Sequence, residues 1–328
     1  MIRYIIVYLV SGRISLNQKT FEISKKDVNG PMNLAETMAS AQTSEPEWSK
    51  DGEYFMDVEE FDGVPVKYTV TQVGTVDEFN IKVNYFGNTL ASRQLKEHLK
   101  KVLGLEDDLC AFYRKFDLPE EPLSQTFLRL RGLRLMRGTN LFESLICSIL
   151  SQNNSVLLWN RTARFLMKYY GKKVRLPDGS NFFLFPTPER LAKVKARELR
   201  ARTSIGYRAR PVLEASRLIT KGALELERLL SSSYEESMET LLNLYGVGPK
   251  VADCFLLYGM AKFEAAPVDV WIQRIVEKLY FKNKRVSKSK SAEFLRDHFD
   301  GWAGYAQLYL FDFARRMTPS TLRARKPN

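Results

Sequence analysis

Leu244-Tyr245-Gly246-Val247-Gly248-Pro249-Lys250-Val251-Ala252-Asp253-Cys254 is the stretch on which the reading of this 328-residue chain turns. One helix ends ahead of it, the chain turns through Gly246-Val247-Gly248, and a second helix opens at Pro249. Glycines tolerate positive φ and close backbone approach. Proline suits the first helical position, where no N–H is missed. The new helix would offer free N–H groups and a positive dipole end, a seat for one phosphate. On the glycines alone, a plain pair of helices with a glycine cap explains the segment as well.

The downstream sequence narrows the choice. Ala266-Pro267-Val268-Asp269-Val270-Trp271-Ile272 places Asp269 19 residues after Lys250. A helix of ordinary length plus a return loop fills that gap, so Asp269 opens the next helix and lies back near Lys250. Taken alone, Asp269 reads as a common N-cap.

The rest of the second half is almost continuously helical. Asn140 and Glu143 form a capping-box pair ahead of the apolar stripe Leu141, Phe142, Leu145, Ile146 and Ile149. Ser233 and Glu236 form another ahead of Met238, Leu241, Leu242 and Tyr245. Runs around Ile272, Ile275 and Leu279, and around Tyr305, Leu308 and Phe311, are also helical. The first part is different. Val64, Val66, Tyr68 and Val70 alternate with other residues, as do Phe79, Ile81, Val83 and Tyr85, the period of antiparallel strands. Pro65 suggests a strand start or an edge strand. The fold class is therefore α+β: an N-terminal antiparallel sheet domain over 1–120, then a helical body over 121–328. That body contains the hairpin at 244–260 and ends in a short basic tail.

Charge follows the same division. Residues 1–120 hold 14 Lys/Arg against 19 Asp/Glu, a net of −5, whereas the remainder holds 36 against 19, a net of +17 within the +12 of the chain. A basic solvated surface would look alike, but the asymmetry assigns phosphate binding to the second part. Cys110, Cys147 and Cys254 are far apart, and His98 and His298 are the two histidines, which disfavours a disulfide framework or a zinc site. The apolar run Ile5–Val10 is too short to span a bilayer and is β-branched like a strand. No signal peptide is evident. An intracellular, membrane-free monomer, in cytoplasm and nucleoid or in a nucleus, is expected.

The hairpin followed by a Pro-Val-Asp entry resembles the helix-hairpin-helix (HhH-GPD) DNA glycosylase superfamily. Gly248-Pro249-Lys250-Val251-Ala252-Asp253-Cys254 and Pro267-Val268-Asp269-Val270 resemble its 8-oxoguanine glycosylase/lyase branch. The resemblance is strongest over 140–154 and 207–311. It implies base excision repair on damaged double-stranded DNA, with removal of 8-oxoguanine and cleavage at the abasic site. A base inside a duplex must first be extruded. Breaking its N-glycosidic bond then develops positive charge on the sugar, which a fixed carboxylate stabilises. A lysine amine can attack the anomeric carbon and form a Schiff base. By resemblance Lys250 is that nucleophile and Asp269 that carboxylate.

The same resemblance places Cys254 and Phe311 on the faces of the flipped base and Gln307 on its pairing edge, positions that could equally be helix core. Asn153 and Asn154 match the asparagines that enter the vacated duplex, Tyr207 the wedge, and Arg208 an arginine facing the orphaned base. Gly246, Val247 and Gly248 form the phosphate-binding hairpin.

Three positions depart from the eukaryotic pattern. Ser40-Ala41-Gln42 stands where a Ser-Gly-Gln carbonyl detects the extra N–H of 8-oxoguanine, so the Ala41 methyl alters that approach. Leu158 replaces a second arginine on the opposite cytosine, which implies looser opposite-base selectivity. Trp271 replaces a phosphate-binding histidine. No cysteine follows Cys254, which excludes the iron–sulfur cluster of some relatives. No cofactor is expected beyond a structural monovalent cation that the resemblance allows at the hairpin. The competing readings are a monofunctional alkylpurine glycosylase, disfavoured by Lys250, and a non-catalytic hairpin DNA-binding protein, disfavoured by the Asp269 entry.

Overall fold

The computed structural model describes residues 18–42, 47–48, 54–86, 89–176 and 179–316. The expected strand at Ile5–Val10, the segment Thr43-Ser44-Glu45-Pro46 and the basic tail 319–328 lie outside the described residues.

The N-terminal part is an antiparallel sheet of β1 (Gln18–Ser24), β2 (Glu47–Trp48), β3 (Phe55–Phe61), β4 (Val64–Gly74) and β5 (Phe79–Phe86), in the order β1-β5-β4-β3-β2. Alternation works as expected within it. Val66, Tyr68 and Val70 of β4 are buried, as are Phe79, Ile81, Val83 and Tyr85 of β5. Val64 departs from the stripe and is half-exposed, because it sits at the turn. Pro65 lies in a central strand opposite Glu60, not on an edge. It is tolerated at the second position, beside the Asp62-Gly63 turn, whose two positive φ angles suit a tight hairpin.

The helices in chain order are α1 (Leu34–Ala39), α2 (Thr89–Val102), α3 (Leu109–Phe116), α4 (Ser124–Arg129), α5 (Leu141–Leu150), α6 (Val156–Tyr170), α7 (Pro188–Ala192) and α8 (Ala196–Thr203). They continue with α9 (Ala209–Thr220), α10 (Leu226–Ser231), α11 (Tyr234–Leu242), α12 (Pro249–Met260), α13 (Val270–Tyr280), α14 (Lys288–His298) and α15 (Ala303–Arg316). A small hairpin, β6 (Lys173–Arg175) with β7 (Asn181–Phe183), interrupts the helical body. Asn140 caps α5 through the Glu143 N–H, and Ser233 with Glu236 forms a reciprocal capping box on α11.

Two apolar cores meet earlier than residue 120. Leu95, Leu99, Leu103 and Leu105 pack under the sheet, whereas everything from Leu109 onward except Met136 and a small cluster at Val174 and Leu176 joins the helical core. The reason is aromatic packing: Phe112 of α3 stacks on Tyr309 of α15 at 5.7 Å and meets Phe127 at 5.2 Å.

Arg134 locks the junction. It is fully buried, and its guanidinium donates to the carbonyls of Pro31 (3.0 Å), Asn29 (2.6 Å), Gly104 (2.5 Å) and Asp107 (3.2 Å). Next to it Asp107 pairs with Arg137 and accepts from Tyr305 of α15 (2.5 Å). Four loop carbonyls thus lose water and gain one rigid fork of donors.

Removing that fork leaves buried acceptors without partners, so Arg134→Met should cost about 3–5 kcal/mol of stability. Arg134→Lys should not restore it, because an ammonium cannot reach carbonyls splayed around a plane. Urea unfolding of the purified variants checks both; a lysine variant as stable as wild type would refute the geometric argument.

Candidate active site

The hairpin forms as its sequence dictates, with one refinement. Gly246 is left-handed (φ +78), and a Cβ there would lie 2.5 Å from Pro211 Cγ of α9. Gly248 is ordinary extended backbone (φ −106), and its glycine leaves open space in front of the helix. Only the first glycine therefore needs its conformational freedom. Pro249 takes the first position of α12 and Lys250 the second. Val247 does not face outward: its side chain is buried and its N–H donates to Leu244 O (3.1 Å), which shapes the turn. The N–H groups of Gly248 and Lys250 have no acceptor among the described residues, and these remain for an anion.

Asp269 is the N-cap of α13. Its Oδ1 accepts from Trp271 N (2.8 Å) and Ile272 N (2.9 Å), while Oδ2 has no hydrogen-bond partner among the described residues. One oxygen holds the carboxylate in place and the other stays available.

Both residues line one cavity of about 530 Å³, between the helical body and the sheet. Cys254, Gln307, Phe311, Ala41 and Asn154 line it too. Lys250 donates from Nζ to Ser151 Oγ (2.9 Å) at the end of α5. Burial pushes the Cys254 thiol up, and the adjacent Lys250 draws it back. Gln307 is buried on α15, and its Oε1 has no hydrogen-bond partner among the described residues. A buried amide oxygen left unpaired costs free energy unless a ligand completes it. Ala41 is left-handed (φ +61), a conformation that strains a residue with a Cβ. Its neighbour Gln42 holds the loop in place, accepting from Met136 N (2.9 Å) and donating to Arg134 O (2.8 Å). On the far wall, burial with help from Lys101 pushes His98 down to about 4, so it is neutral at physiological pH.

The predicted duplex-facing residues gather elsewhere, at the turn after α5. Asn153 is exposed and left-handed (φ +45), with Nδ2 3.4 Å from the Tyr207 hydroxyl. Tyr207 is half-exposed on a one-turn 3-10 helix. Asn154 turns inward and donates to Leu150 O (3.1 Å). Arg208 departs from the expectation of an arginine open to a base. It is nearly buried, donating to Gln152 O through Nε (2.8 Å) and to Asn153 O through Nη2 (3.0 Å), so it stiffens the turn that carries Asn153.

Two residues escaped the sequence reading. Ser151 holds the Lys250 amine, and nothing local marks it. Asp253 is buried in α12, accepts from Tyr234 (2.7 Å) and from the Ala266 N–H, and so ties the return loop that leads to Asp269. Burial raises its carboxyl to about 6. An isolated acid inside an otherwise apolar helix was the available signal.

Among the described residues no cluster of His, Cys, Asp or Glu could hold a metal ion, and no helix is long and apolar enough to cross a membrane. Residues 146–300 match the model of the HhH-GPD superfamily base excision DNA repair proteins. The chain is 34% identical to a probable N-glycosylase/DNA lyase of Methanothermobacter thermautotrophicus, over 88% of this chain and 95% of that protein. It is 32% identical over 57% of its length to the N-glycosylase/DNA lyase of Saccharomyces cerevisiae, of which 52% is covered. Its fold matches the Clostridium acetobutylicum 8-oxoguanine glycosylase/lyase bound to double-stranded DNA, with a TM-score of 0.77 and 25% identity over 91% of this chain and 96% of that one. A lysine and a carboxylate brought together at two helix starts, in a cavity near the exposed turn that carries Asn153, agree with that kinship: the chain belongs to the HhH-GPD superfamily of base excision DNA repair proteins, among the N-glycosylase/DNA lyases.

Proposed function

We propose that this enzyme extrudes 8-oxoguanine from double-stranded DNA, releases the base and nicks the strand, with Lys250 as nucleophile and Asp269 as the essential carboxylate. The observation that carries this reading is the convergence of Lys250, Asp269 and the unpaired Gln307 amide on one cavity. Tyr207 and Asn153 fill the vacated stack, and Gly248 and Lys250 N–H groups hold a phosphate. The base enters between Cys254 and Phe311, and Gln307 completes its hydrogen bonding on the pairing edge. The Ala41 carbonyl meets the base's additional N–H.

The chemistry then follows from charge. As the C1′–N9 bond breaks, the electron pair leaves with the base and positive charge grows on the sugar, facing Asp269. The Lys250 amine bonds to C1′, and the proton it sheds passes to O4′ as the C1′–O4′ bond breaks and the ring opens to a Schiff base. Loss of a C2′ proton to water forms the C2′–C3′ double bond and expels the 3′ phosphate with its bonding pair, which cuts the strand. A monovalent cation at the hairpin would be held by carbonyls of the 244–248 turn. Leu244 and Gly246 each already accept one hydrogen bond there and keep a second lone pair. The ion would add positive charge toward the phosphate, and no step depends on it. The protein acts as a monomer.

Borohydride should trap wild-type enzyme covalently on 8-oxoguanine DNA. Lys250→Gln should give neither trap nor nick while still binding the lesion. Asp269→Asn keeps the cap, since Asn caps about as well as Asp, yet it should slow base release by about 10²–10³-fold. It should still trap on a pre-formed abasic site. Trapping by Lys250→Gln would identify another amine as nucleophile, and base release without any trap in wild type would make water the nucleophile.

Gln307→Ala should weaken binding of 8-oxoguanine DNA by about tenfold, the scale of one buried polar contact. Binding to an abasic site, which has no base to read, should change little. Equal losses on the two substrates, measured by titration, would make Gln307 a packing residue.

A further inference from the structure

Helix α6 contains no acidic residue from Val156 to Tyr170. Its exposed positions Leu157, Arg161, Arg164 and Lys168 recur at intervals of four, three and four, so they share one face. At ~1.5 Å per residue the stripe is about 16 Å long. Among the described residues Arg161, Arg164 and Lys168 form no ion pair, although neighbouring arginines do: Arg202 pairs with Glu198 and Arg210 with Glu214. Two of these α6 cations instead rest over rings, Arg161 5.8 Å from Phe165 and Lys168 5.6 Å from Tyr169. Arg202 of α8 reaches the same Tyr169 ring at 5.9 Å, and Glu198, the acid on that helix, also accepts from Tyr170 (3.3 Å).

The stripe begins at the wedge. Ser155 caps α6 directly after Asn153 and Asn154, and Leu157 in the first turn is 78% exposed. Exposed cations on a folded surface are ordinarily interspersed with carboxylates. A row of cations without them repels itself and is relieved by a polyanion. Aromatic rings beneath the cations restrict their motion and reduce what ordering costs on binding.

We propose that this face of α6, joined by Arg202, is a second phosphate-binding track that holds the undamaged duplex running away from the extruded nucleotide, with Leu157 against the sugars nearest the hole. The proposal rests on the reading of the chain as an enzyme of duplex DNA. It adds to the hairpin, which holds one phosphate at the lesion, a grip that needs no lesion.

Each phosphate neutralised steepens the dependence of log affinity on log salt by about 0.9. The full chain carrying R161Q/R164Q/K168Q should therefore bind undamaged duplex with a salt slope shallower by about two to three. Its thermal midpoint should match wild type, because all three side chains are exposed. K26Q/K82Q/R93Q removes the same charge from the sheet domain and should leave the slope unchanged. An unaltered slope in the α6 variant overturns the track. So does an equal loss in the sheet-domain variant, which would reduce the effect to overall charge. Binding of undamaged DNA requires no base release, so an enzyme that failed to release 8-oxoguanine would refute the catalytic reading and leave this slope measurable.

Discussion

The close approach of Gly246 to Pro211 is the contact on which the site depends. A side chain at Gly246 would strike the proline ring and strain a left-handed backbone at once. With glycine there, α11 can end, the chain can reverse, and α12 can start with its free N–H groups facing outward. Lys250 then projects from the first turn of α12 to the end of α5, where Ser151 receives it. Had the turn been wider, the amine would leave the cavity and the phosphate seat would be lost together.

Asp269 is positioned by an independent device of the same kind. A carboxylate used as an N-cap gives one oxygen to two backbone amides and is thereby immobilised without a salt bridge. A cationic partner would have neutralised the charge that Asp269 presents to the cavity. Asp253 supports this arrangement from behind by tying the return loop to α12. The two carboxylates thus belong to successive helices, and burial treats them differently: it raises Asp253, while Asp269 stays half-exposed at the cavity.

The sheet domain contributes position and one wall. Arg134 binds four loop carbonyls and so fixes Gln42 and Ala41 against the helical body. Because the cavity lies between the two cores, its width depends on that junction, and the Ala41–Gln42 loop on the sheet side faces helices on the other. Arg208 performs the same service at the wedge, spending its charge on the carbonyls beneath Asn153.

Local and periodic features were legible in the chain itself. The Gly246–Pro249 turn, the Asp269 cap, the Ser233–Glu236 box and the alternation of β4 and β5 each depend on residues within a few positions of one another. Resemblance extended that reading to Cys254, Gln307 and Phe311, all of which line the cavity. What only the tertiary structure decided involves partners distant in sequence. Ser151 meets Lys250 across 99 positions, Arg134 reaches Asn29 across 105, and Arg208 folds inward onto Gln152 across 56. A side chain's type states what it can bond to, but burial and the available acceptors decide whether it faces solvent or the interior. For that reason Arg208 and Val247, read as DNA contacts, turned out to build the turns that present their neighbours.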